Sequence, residues 1–395
     1  MLDNKKIKTS IYTNSTFPII SNDFTGKSIE YDQNYIDILK YFSQKKPNVN
    51  SFLLHTLIKD AEKKINFLSE NQFIVNSSEE EASKFNPLYV DMEINTHCNA
   101  RCLCCPQSVY PKKPNTMLLK TFEAILDKLS DYDIRWIALS NYGEPLLDKY
   151  FLERLNILKN YKFKLHFFTN AILFTDIYIK KLAEIDIESI VFNIPSIHIN
   201  EWSLIMNIDK KYCKMALQNI SNFLLNYSND FDNKYYIVVN GNKDLQRRLQ
   251  EIYTYFNKKN NIDVRGYPSN SRAGLITSDW VTQDKSTPGE YYAGCPRTVN
   301  HLHISWQGYV YSCLQDYSQK YIWGNLLKES IKEIMSKKHP SLLRKELYGI
   351  LPLRENRLCV NCCIRKKQFF DRREVKNILL KKEREKLQDY LYYPL

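Results

Sequence analysis

The sequence predicts an α/β fold in which a central series of strand–helix units is flanked by a small N-terminal unit and a cysteine-bearing C-terminal unit. Three observations support this prediction. Apolar strand-like runs alternate with helix-like runs between residues 87 and 275, a group of cysteines follows the first of these strands, and five more cysteines lie after residue 290. With 395 residues, 44% of them hydrophobic, the chain is long enough for two or three domains with their own cores.

The N-terminal unit is predicted to span residues 1–86. Its predicted elements are short strands at Lys8–Tyr12, Phe17–Ile20 and Phe73–Val75 and helices at Asn34–Phe42 and Ser51–Glu70. The second helix is predicted as one continuous element because its apolar residues recur at i, i+3, i+4 and i+7 spacing. The polar stretch NSSEEEASKFN that follows indicates a linker.

Six strands are predicted between residues 87 and 275. They lie at Leu88–Ile94, Ile134–Ser140, Lys164–Thr169, Ser189–Ile194, Tyr235–Asn240 and Ile262–Gly266. Amphipathic helices fill the gaps, among them Thr116–Leu129 and Lys211–Tyr227. Such alternation predicts parallel strands joined by right-handed crossovers, which fits either a doubly wound sheet or a barrel.

A cysteine-rich loop, DMEINTHCNARCLCCPQ, follows the first strand and contains Cys98, Cys102 and Cys105 at C-x3-C-x2-C spacing. Three thiolates can hold three irons of one 4Fe–4S cluster and leave the fourth iron open to a small molecule. The spacing also leaves a tetrahedral zinc site open, with His97 or Cys104 as the fourth ligand.

This cysteine spacing resembles the signature of the radical SAM enzymes, in which S-adenosylmethionine chelates the fourth iron. The resemblance implies a partial (β/α)6 barrel and cleavage of S-adenosylmethionine to a 5′-deoxyadenosyl radical that abstracts a hydrogen atom from a substrate. It also implies an electron donor such as flavodoxin or ferredoxin. Cys104 stands where the family usually has an aromatic residue, so it is either a small apolar side chain or a reactive thiol beside the cofactor.

The loop after the second strand carries Gly143, Glu144 and Pro145, which match the family motif that holds the amino group of S-adenosylmethionine. A carboxylate can bind such a group, and glycine allows the backbone to approach a ligand closely. Tyr142 replaces the first glycine of the motif, and a plain turn is the alternative interpretation.

Further cofactor contacts are expected at the ends of the third and fourth strands. Thr169 and Asn170 are similar to a family motif, although Ala171 replaces its glycine. Near the fourth strand, Asn193 and Ser196 are competing candidates for a bond to the carboxylate or ribose of the cofactor.

The C-terminal cysteines form a second group. Cys295, Cys313, Cys359 and Cys362 follow the pattern C-x17-C, a long gap and C-x2-C, and Gln307-Gly308 predicts a hairpin turn between the first two. The pattern resembles the twitch or SPASM-type domain, which implies one auxiliary 4Fe–4S cluster over residues 276–370. A four-cysteine zinc ribbon is the alternative. Residues 371–395 are predicted as a charged helix.

Three further thiols are candidate hydrogen donors to a substrate radical. They are Cys213, Cys363 and Cys104. Cys213 lies on the apolar stripe of its predicted helix, so a buried structural role is the alternative there. Cys363 competes with Cys362 as the fourth ligand of the auxiliary cluster.

The order of elements in residues 1–86 resembles the RiPP recognition element, a small winged-helix-like domain that binds the leader of a ribosomally synthesised precursor peptide as an added strand. The favoured substrate is therefore such a peptide, undergoing crosslinking or epimerisation. The alternatives are a small-molecule dehydrogenase of the aminoglycoside type and an enzyme that modifies protein or RNA.

Composition bears on location and partners. The net charge is +12, and residues 365–386 hold ten Lys/Arg against four Asp/Glu, which indicates either a solvated helix face or an acidic partner. No aromatic–basic pattern favours nucleic acid. The chain shows no secretion signal and no membrane-spanning run, so its ten cysteines are interpreted as metal ligands in a reducing cytoplasm.

Overall fold

The computed structural model describes residues 8–10, 13–16, 19–43, 49–75, 84–257, 262–281, 292–348, 351–362 and 366–367. The helices, in chain order, are α1 (Gln33–Phe42), α2 (Val49–His55), α3 (Ala61–Glu70), α4 (Leu119–Leu129), α5 (Phe151–Leu158), α6 (Asp176–Leu182), α7 (Ile199–Met206), α8 (Lys211–Asn226), α9 (Leu245–Asn257), α10 (Ile331–Ser336) and α11 (Lys338–Leu347).

The strands, in chain order, are β1 (Lys8–Thr9), β2 (Thr13–Thr16), β3 (Ile19–Asn22), β4 (Lys27–Glu30), β5 (Ile74–Val75), β6 (Tyr89–Met92), β7 (Trp136–Ala138), β8 (Lys164–Thr169), β9 (Ile187–Asn193), β10 (Tyr235–Asn240), β11 (Asp263–Tyr267), β12 (Tyr292–Gly294), β13 (His301–Ile304), β14 (Tyr309–Tyr311), β15 (Ile322–Asn325) and β16 (Lys366–Lys367).

A nine-stranded sheet organises the molecule, in the order β11-β10-β9-β8-β7-β6-β13-β14-β15. The six strands β6 to β11 are parallel and correspond to the six predicted ones, so the α/β fold with a partial (β/α)6 barrel is confirmed. Strand β13 extends the same sheet parallel to β6, and β14 and β15 follow antiparallel. The C-terminal unit therefore shares its sheet with the barrel, which the sequence does not reveal.

The N-terminal unit has its own hydrophobic core, built largely from α1, α3 and the strand β3. Strands β2, β3 and β4 form an antiparallel sheet, and β1 pairs with β5. Helix α1 begins at the N-cap Asp32, whose side chain accepts the backbone N–H of Asn34 at 2.7 Å. The predicted helix over Asn34–Phe42 is confirmed.

The prediction of one continuous helix over Ser51–Glu70 is wrong. The segment forms α2 and α3, separated by an irregular turn in which Asp60 has a left-handed φ of 55°. The Thr56 hydroxyl accepts the backbone N–H of Ile58 at 3.2 Å, a local bond that competes with helix continuation. Consequently Leu54 and Leu57, predicted to lie on the buried stripe, are 79% and 102% exposed.

The short N-terminal strands also differ from prediction. Strand β1 covers Lys8–Thr9, and the Ser10 carbonyl accepts the N–H of Thr13 at 3.1 Å. The second predicted strand, Phe17–Ile20, overlaps β3, which continues to Asn22. Residues 11, 12, 17 and 18 of these predictions lie outside the described residues. These runs are too short for periodicity to fix their ends.

The turn between β3 and β4 attaches the N-terminal unit to the rest of the molecule. The Asp23 carbonyl accepts from Asn300 Nδ2 at 2.6 Å, and its carboxylate accepts from the Tyr348 hydroxyl at 2.7 Å. The Phe24 carbonyl accepts from Asn86 Nδ2 at 2.9 Å. The same turn contacts the barrel, because the Thr25 carbonyl accepts from Arg135 Nη2 at 3.4 Å.

The predicted hairpin at Gln307-Gly308 is confirmed by the antiparallel pairing of β13 with β14. Gly308 has a φ of +81°, which glycine adopts without strain. The predicted charged helix at residues 371–395 lies outside the described residues. In the described part of the chain, no helix has the length and apolar character needed to cross a membrane.

Candidate active site and auxiliary cluster site

The inner face of the barrel sheet borders a cavity of about 380 Å³. Strand residues alternate between the two faces. Val90 and Ile137 belong to the core under the helices, whereas their neighbours Asp91 and Trp136 line the cavity. The cysteine loop and the loop after β7 close one end of this space. Since those loops follow the carboxyl ends of parallel strands, the cavity has the position expected of a barrel active site.

The cysteine loop is fixed through its backbone. Arg101 N donates to the Met206 carbonyl and Leu103 N donates to the Ile205 carbonyl, each at 2.9 Å, so the loop is tied to the end of α7. The Arg101 guanidinium donates to the Cys98 carbonyl at 2.7 Å. These bonds hold the loop that carries the three motif cysteines, all of which line the cavity.

The thiols of this loop are crowded. Burial raises the pKa of Cys98 to about 12, and the nearby Glu144 carboxylate adds to the rise. Burial also raises the pKa of Cys105 to about 11. The pKa of Cys102 lies well above its usual value because of burial and then of Cys104, Cys105 and Cys98. Thiolates this close need bound metal to balance their charge, which fits a cluster site.

Glu144 is buried beneath the loop, and its carboxylate accepts three hydrogen bonds. Thr169 Oγ1 donates at 2.8 Å, Asn170 N at 2.9 Å and Leu146 N at 3.3 Å. Burial raises the pKa of Glu144 to about 7, although these bonds act to lower it. A buried carboxylate with this pKa is poised to accept hydrogen bonds from an amino group placed in the cavity.

The predicted Thr169 and Asn170 therefore lie beside Glu144, and they line the cavity themselves. The Asn170 side chain also donates to Asn99 Oδ1 at 2.7 Å, which links this strand end to the cysteine loop. Pro145 begins a short 3-10 turn whose N-cap is Glu144. A cofactor role for these residues stays a prediction.

Gly143 is needed for a reason other than the predicted approach to a ligand. A Cβ at this position would lie 2.2 Å from Asn95 Oδ1 and 2.6 Å from the Asn95 carbonyl oxygen. Glu144 N donates to the His97 carbonyl at 2.9 Å, and Asn95 Nδ2 donates to the Glu144 carbonyl at 3.0 Å. The glycine thus lets the β7 loop pack directly against the end of β6.

The substitution Gly143→Ala should destabilise the protein by roughly 1–3 kcal/mol, because backbone atoms of Asn95 must move to accept the methyl group. Urea unfolding of the wild type and the variant measures this difference. An unchanged unfolding midpoint would show that the two loops can separate without cost.

The two candidates after β9 are placed differently. Asn193 lines the cavity, and its Oδ1 accepts from Asn240 Nδ2 at 3.0 Å. Ser196 is not among the cavity residues, since its hydroxyl donates to Glu201 Oε2 at 2.5 Å and accepts from His198 N at 3.0 Å. The placement favours Asn193 over Ser196 as the cofactor contact.

The three candidate hydrogen donors also differ in their location. Cys213 is fully buried in the core between α8 and its neighbours and lines neither cavity described here, so the structure does not support a donor role for it. The apolar stripe of α8 accounts for this position. Cys104 lines the barrel cavity. Cys363 lies outside the described residues.

The deeper part of the cavity is lined by polar side chains, whereas barrel interiors are commonly filled by branched apolar residues. Asp91 Oδ2 lies 3.1 Å from His303 Nδ1. Burial alone would raise the pKa of Asp91, but His303 and then His301 hold it below its usual value. Burial lowers the pKa of His166 to about 4 and that of His301 to about 3. The sequence analysis singled out none of these four residues.

Arg248 is another residue that the sequence analysis missed. It is buried, and its guanidinium donates to the carbonyls of Pro195, Asn240, Gly241 and Lys243 at 2.8–3.0 Å. It thereby joins the loops after β9 and β10 at the cavity end of the sheet. The sequence did contain a signal. Arg248 lies at i, i+4 and i+8 spacing with Ile252 and Phe256, so an arginine occupies the buried stripe of α9.

The four C-terminal cysteines meet at a second cavity of about 350 Å³. Burial raises the pKa of Cys295 to about 12 and that of Cys313 to about 11, and in both cases the neighbouring Cys362 adds to the rise. Cys359 lines the same cavity. Four thiols around one enclosed space fit a cluster ligated by protein alone.

Neither cysteine group is arranged around a single ion. Within the residues that the structure describes, no three His, Cys, Asp or Glu side chains converge as a one-metal site requires. A cube-shaped cluster carries its irons on separate corners, so its ligands stand farther apart than those of one zinc ion.

Comparison with known families agrees with this geometry. Residues 92–223 match the model of the radical SAM superfamily, and residues 295–363 match that of the SPASM iron–sulfur cluster-binding domain. The chain therefore carries a radical SAM domain followed by a SPASM domain. The first match contains Cys98, Cys102 and Cys105, and the second contains Cys295 through Cys362.

Individual relatives of this radical SAM enzyme are distant. A Pyrococcus furiosus protein described as a tungsten-containing aldehyde ferredoxin oxidoreductase cofactor-modifying protein is 29% identical over 106 residues, which span 27% of this chain and 30% of that protein. The match thus covers less than a third of that curated relative.

Two solved structures show the same fold. BtrN in complex with AdoMet and 2-DOIA has a TM-score of 0.50 at 20% identity and covers 75% of this chain and 100% of its own. Native anSMEcpe with bound AdoMet has a TM-score of 0.51 at 14% identity and covers 77% of this chain and 96% of its own. At these identities the likeness concerns the fold alone.

The cofactors of this radical SAM enzyme are therefore a 4Fe–4S cluster with S-adenosylmethionine and auxiliary iron–sulfur. When bound, the first two would supply a radical able to abstract a hydrogen atom from a substrate. The residues divide the remaining tasks. The three cysteines of the loop would hold the cluster, and Glu144 would accept from the amino group of S-adenosylmethionine. The Cys295 group, which consists of Cys295, Cys313, Cys359 and Cys362, would hold the auxiliary iron–sulfur. That this site holds one cluster stays a prediction.

Proposed function

We propose that this radical SAM enzyme modifies a ribosomally synthesised peptide. The observation that carries the proposal is the N-terminal unit. It consists of a three-stranded antiparallel sheet followed by three helices, the architecture expected of the winged-helix-like leader-binding domain, over about the predicted residues 1–86. Strand β4 pairs only with β3 among the described residues, so its outer edge is open to an added strand.

Helix α3 lies beside this open edge. Lys27 Nζ of β4 donates to Asn71 Oδ1 at the end of α3 at 3.2 Å, and Lys64 Nζ of α3 lies 3.7 Å from Asp32 Oδ2 just past β4. Between these two contacts Phe67 stacks on Tyr35 with ring centroids 5.6 Å apart. We infer that the edge strand and the helix border a peptide-binding groove with an aromatic side and a lysine at each end.

A peptide bound in this groove would add main-chain hydrogen bonds to β4 and pack apolar side chains against Phe67, which is 38% exposed. The lysines favour acidic residues in the peptide. A structural relative, anSMEcpe, has been solved with a bound peptide, which supports a peptide substrate without identifying one.

The substitution Phe67→Ala should weaken binding of the cognate precursor by about tenfold, because an apolar contact of this size contributes roughly 1–2 kcal/mol. Fluorescein-labelled synthetic peptides encoded by short open reading frames next to the gene serve as probes in anisotropy titrations. Formation of 5′-deoxyadenosine and the mass of the peptide report turnover.

The matched control is Tyr253→Ala, an aromatic residue of α9 that is 49% exposed on the barrel. We expect it to leave peptide binding unchanged. Equal peptide binding by the wild type and Phe67→Ala would refute leader binding in this groove. Absence of any change in peptide mass would overturn the peptide proposal.

Within peptide modification, we favour crosslinking over epimerisation. Bond formation between two side chains removes electrons from the substrate, and an auxiliary iron–sulfur site next to the barrel cavity is a suitable acceptor. Epimerisation instead needs a thiol donor. Among the described candidates, Cys213 is buried away from the cavity and Cys104 lines it, so the preference for crosslinking rests on the auxiliary site.

A small-molecule dehydrogenase is the second candidate, because the polar depth of the cavity suits a hydroxylated substrate. Asp91, His166 and His301 line it together. Rapid 5′-deoxyadenosine formation with amino sugars and none with peptides would favour this candidate. For either function we infer a flavodoxin- or ferredoxin-type donor and a reducing cytoplasm, which suits the free thiol state of all nine described cysteines.

A further inference from the structure

One short loop separates the two cavities. In the segment Cys313–Asp316, Leu314 lines the barrel cavity, whereas Cys313 and Gln315 line the auxiliary cavity. The loop cannot rotate freely, because the Leu314 carbonyl accepts from the Tyr142 hydroxyl and Asp316 N donates to the Cys313 carbonyl at 2.9 Å. The backbone on both sides of Gln315 is therefore fixed, and its side chain is directed to the auxiliary side.

The Gln315 side chain is buried without a hydrogen-bond partner. Only 3% of the residue is exposed, and neither Nε2 nor Oε1 forms a hydrogen bond to any described residue. Leaving a buried amide unpaired costs roughly 1–3 kcal/mol. An amide in this situation indicates that a bound group in the cavity supplies its partner.

The cavity itself identifies that group. It is bordered by Cys295, Cys313, Cys359 and Cys362, whose thiolates fit a 4Fe–4S cluster. The sulfurs of such a cluster carry negative charge and accept hydrogen bonds from N–H donors. Two other donors on the wall, Arg354 and Arg357, both donate to Glu346.

We propose that Gln315 Nε2 donates an N–H···S hydrogen bond to the auxiliary cluster and raises its reduction potential. The reason is electrostatic, because a donor stabilises the extra negative charge of the reduced cluster more than the charge of the oxidised one. Gln315 thus sets how readily the auxiliary site accepts an electron. The inference depends on the auxiliary cluster and is independent of the substrate.

The test isolates the auxiliary cluster. In a Cys98→Ala/Cys102→Ala/Cys105→Ala background, anaerobic reconstitution should leave about four irons per chain. Gln315→Met keeps the side-chain length but removes the donor. In a redox titration followed by the electron paramagnetic resonance of the reduced cluster, we expect a lower midpoint potential. At a fixed potential the reduced-to-oxidised ratio should fall roughly threefold to tenfold, the effect of losing one hydrogen bond.

Two control variants complete the experiment. Gln250→Met changes an exposed glutamine of α9 and should leave the potential unchanged. Gln315→Asn retains the amide and should restore part of the shift. A midpoint potential equal in the background and in Gln315→Met, at equal iron content, would overturn the proposal. If Gln315→Met fails to bind iron, the Gln315→Asn variant provides the test. Iron binding by Gln315→Asn would support the hydrogen bond to the cluster, and loss of iron in both variants would refute it.

Discussion

Simultaneous replacement of Cys98, Cys102 and Cys105 by alanine will lower the iron content after reconstitution from about eight to about four per chain and abolish 5′-deoxyadenosine formation. These three thiols line the barrel cavity next to Glu144, whereas the Cys295 group lies at a separate cavity. Because the two groups share no ligand, removal of one should leave the other cluster intact. Iron and sulfide analysis with a deoxyadenosine assay measures both effects.

The matched control is Cys104→Ala, a cysteine of the same loop outside the C-x3-C-x2-C spacing. It should retain about eight irons, because three other thiols ligate the cluster. Loss of about half the iron in Cys104→Ala would make this thiol a ligand. A wild type with only about four irons, all lost in the triple variant, would leave the C-terminal cysteines without a cluster.

The barrel was predictable from sequence because two independent signals coincide. Long strands buried by helices on one face carry strong apolar patterns, and the cysteine spacing marks where the first strand ends. All six barrel strands are therefore found close to their predicted positions. The break between α2 and α3 was not predictable from the same pattern, since Leu54 and Leu57 continue the apolar stripe of α3 in the sequence although both side chains are exposed.

The candidate site shows the same limit at the level of single residues. Glu144 belongs to a local motif and could be named from the sequence. Gln315 could not, because its placement depends on contacts between loops distant in the chain. Arg248 left only a weak signal, an arginine on the buried stripe of α9, which does not show that it joins two loops. The cofactor role of the Gly143 motif stays a prediction, and the close neighbour of this glycine is Asn95, just after β6. The sequence identifies such a glycine but does not show which neighbouring atoms exclude a side chain at that position.

The substitution Glu144→Gln should weaken binding of S-adenosylmethionine to the reconstituted enzyme by about 10- to 100-fold at pH 8, since it replaces a charged acceptor by a neutral amide. The effect on the wild type depends on pH. Burial raises the pKa of Glu144 to about 7, so protons compete with the ligand below that pH. The wild-type affinity should therefore fall roughly tenfold between pH 8 and pH 6.

The pH profile separates this role from a structural one. Glu144→Gln cannot titrate, so its affinity should stay flat over the same range, whereas a variant with a damaged loop would keep the wild-type slope at lower affinity. Equilibrium binding measured by filtration with labelled S-adenosylmethionine at pH 6, 7 and 8 distinguishes the two.

The substitution Thr169→Val removes the hydrogen bond of 2.8 Å from Thr169 Oγ1 to the Glu144 carboxylate and leaves the carboxylate in place. Because that hydrogen bond lowers the pKa of Glu144, its loss should move the midpoint of the profile to higher pH.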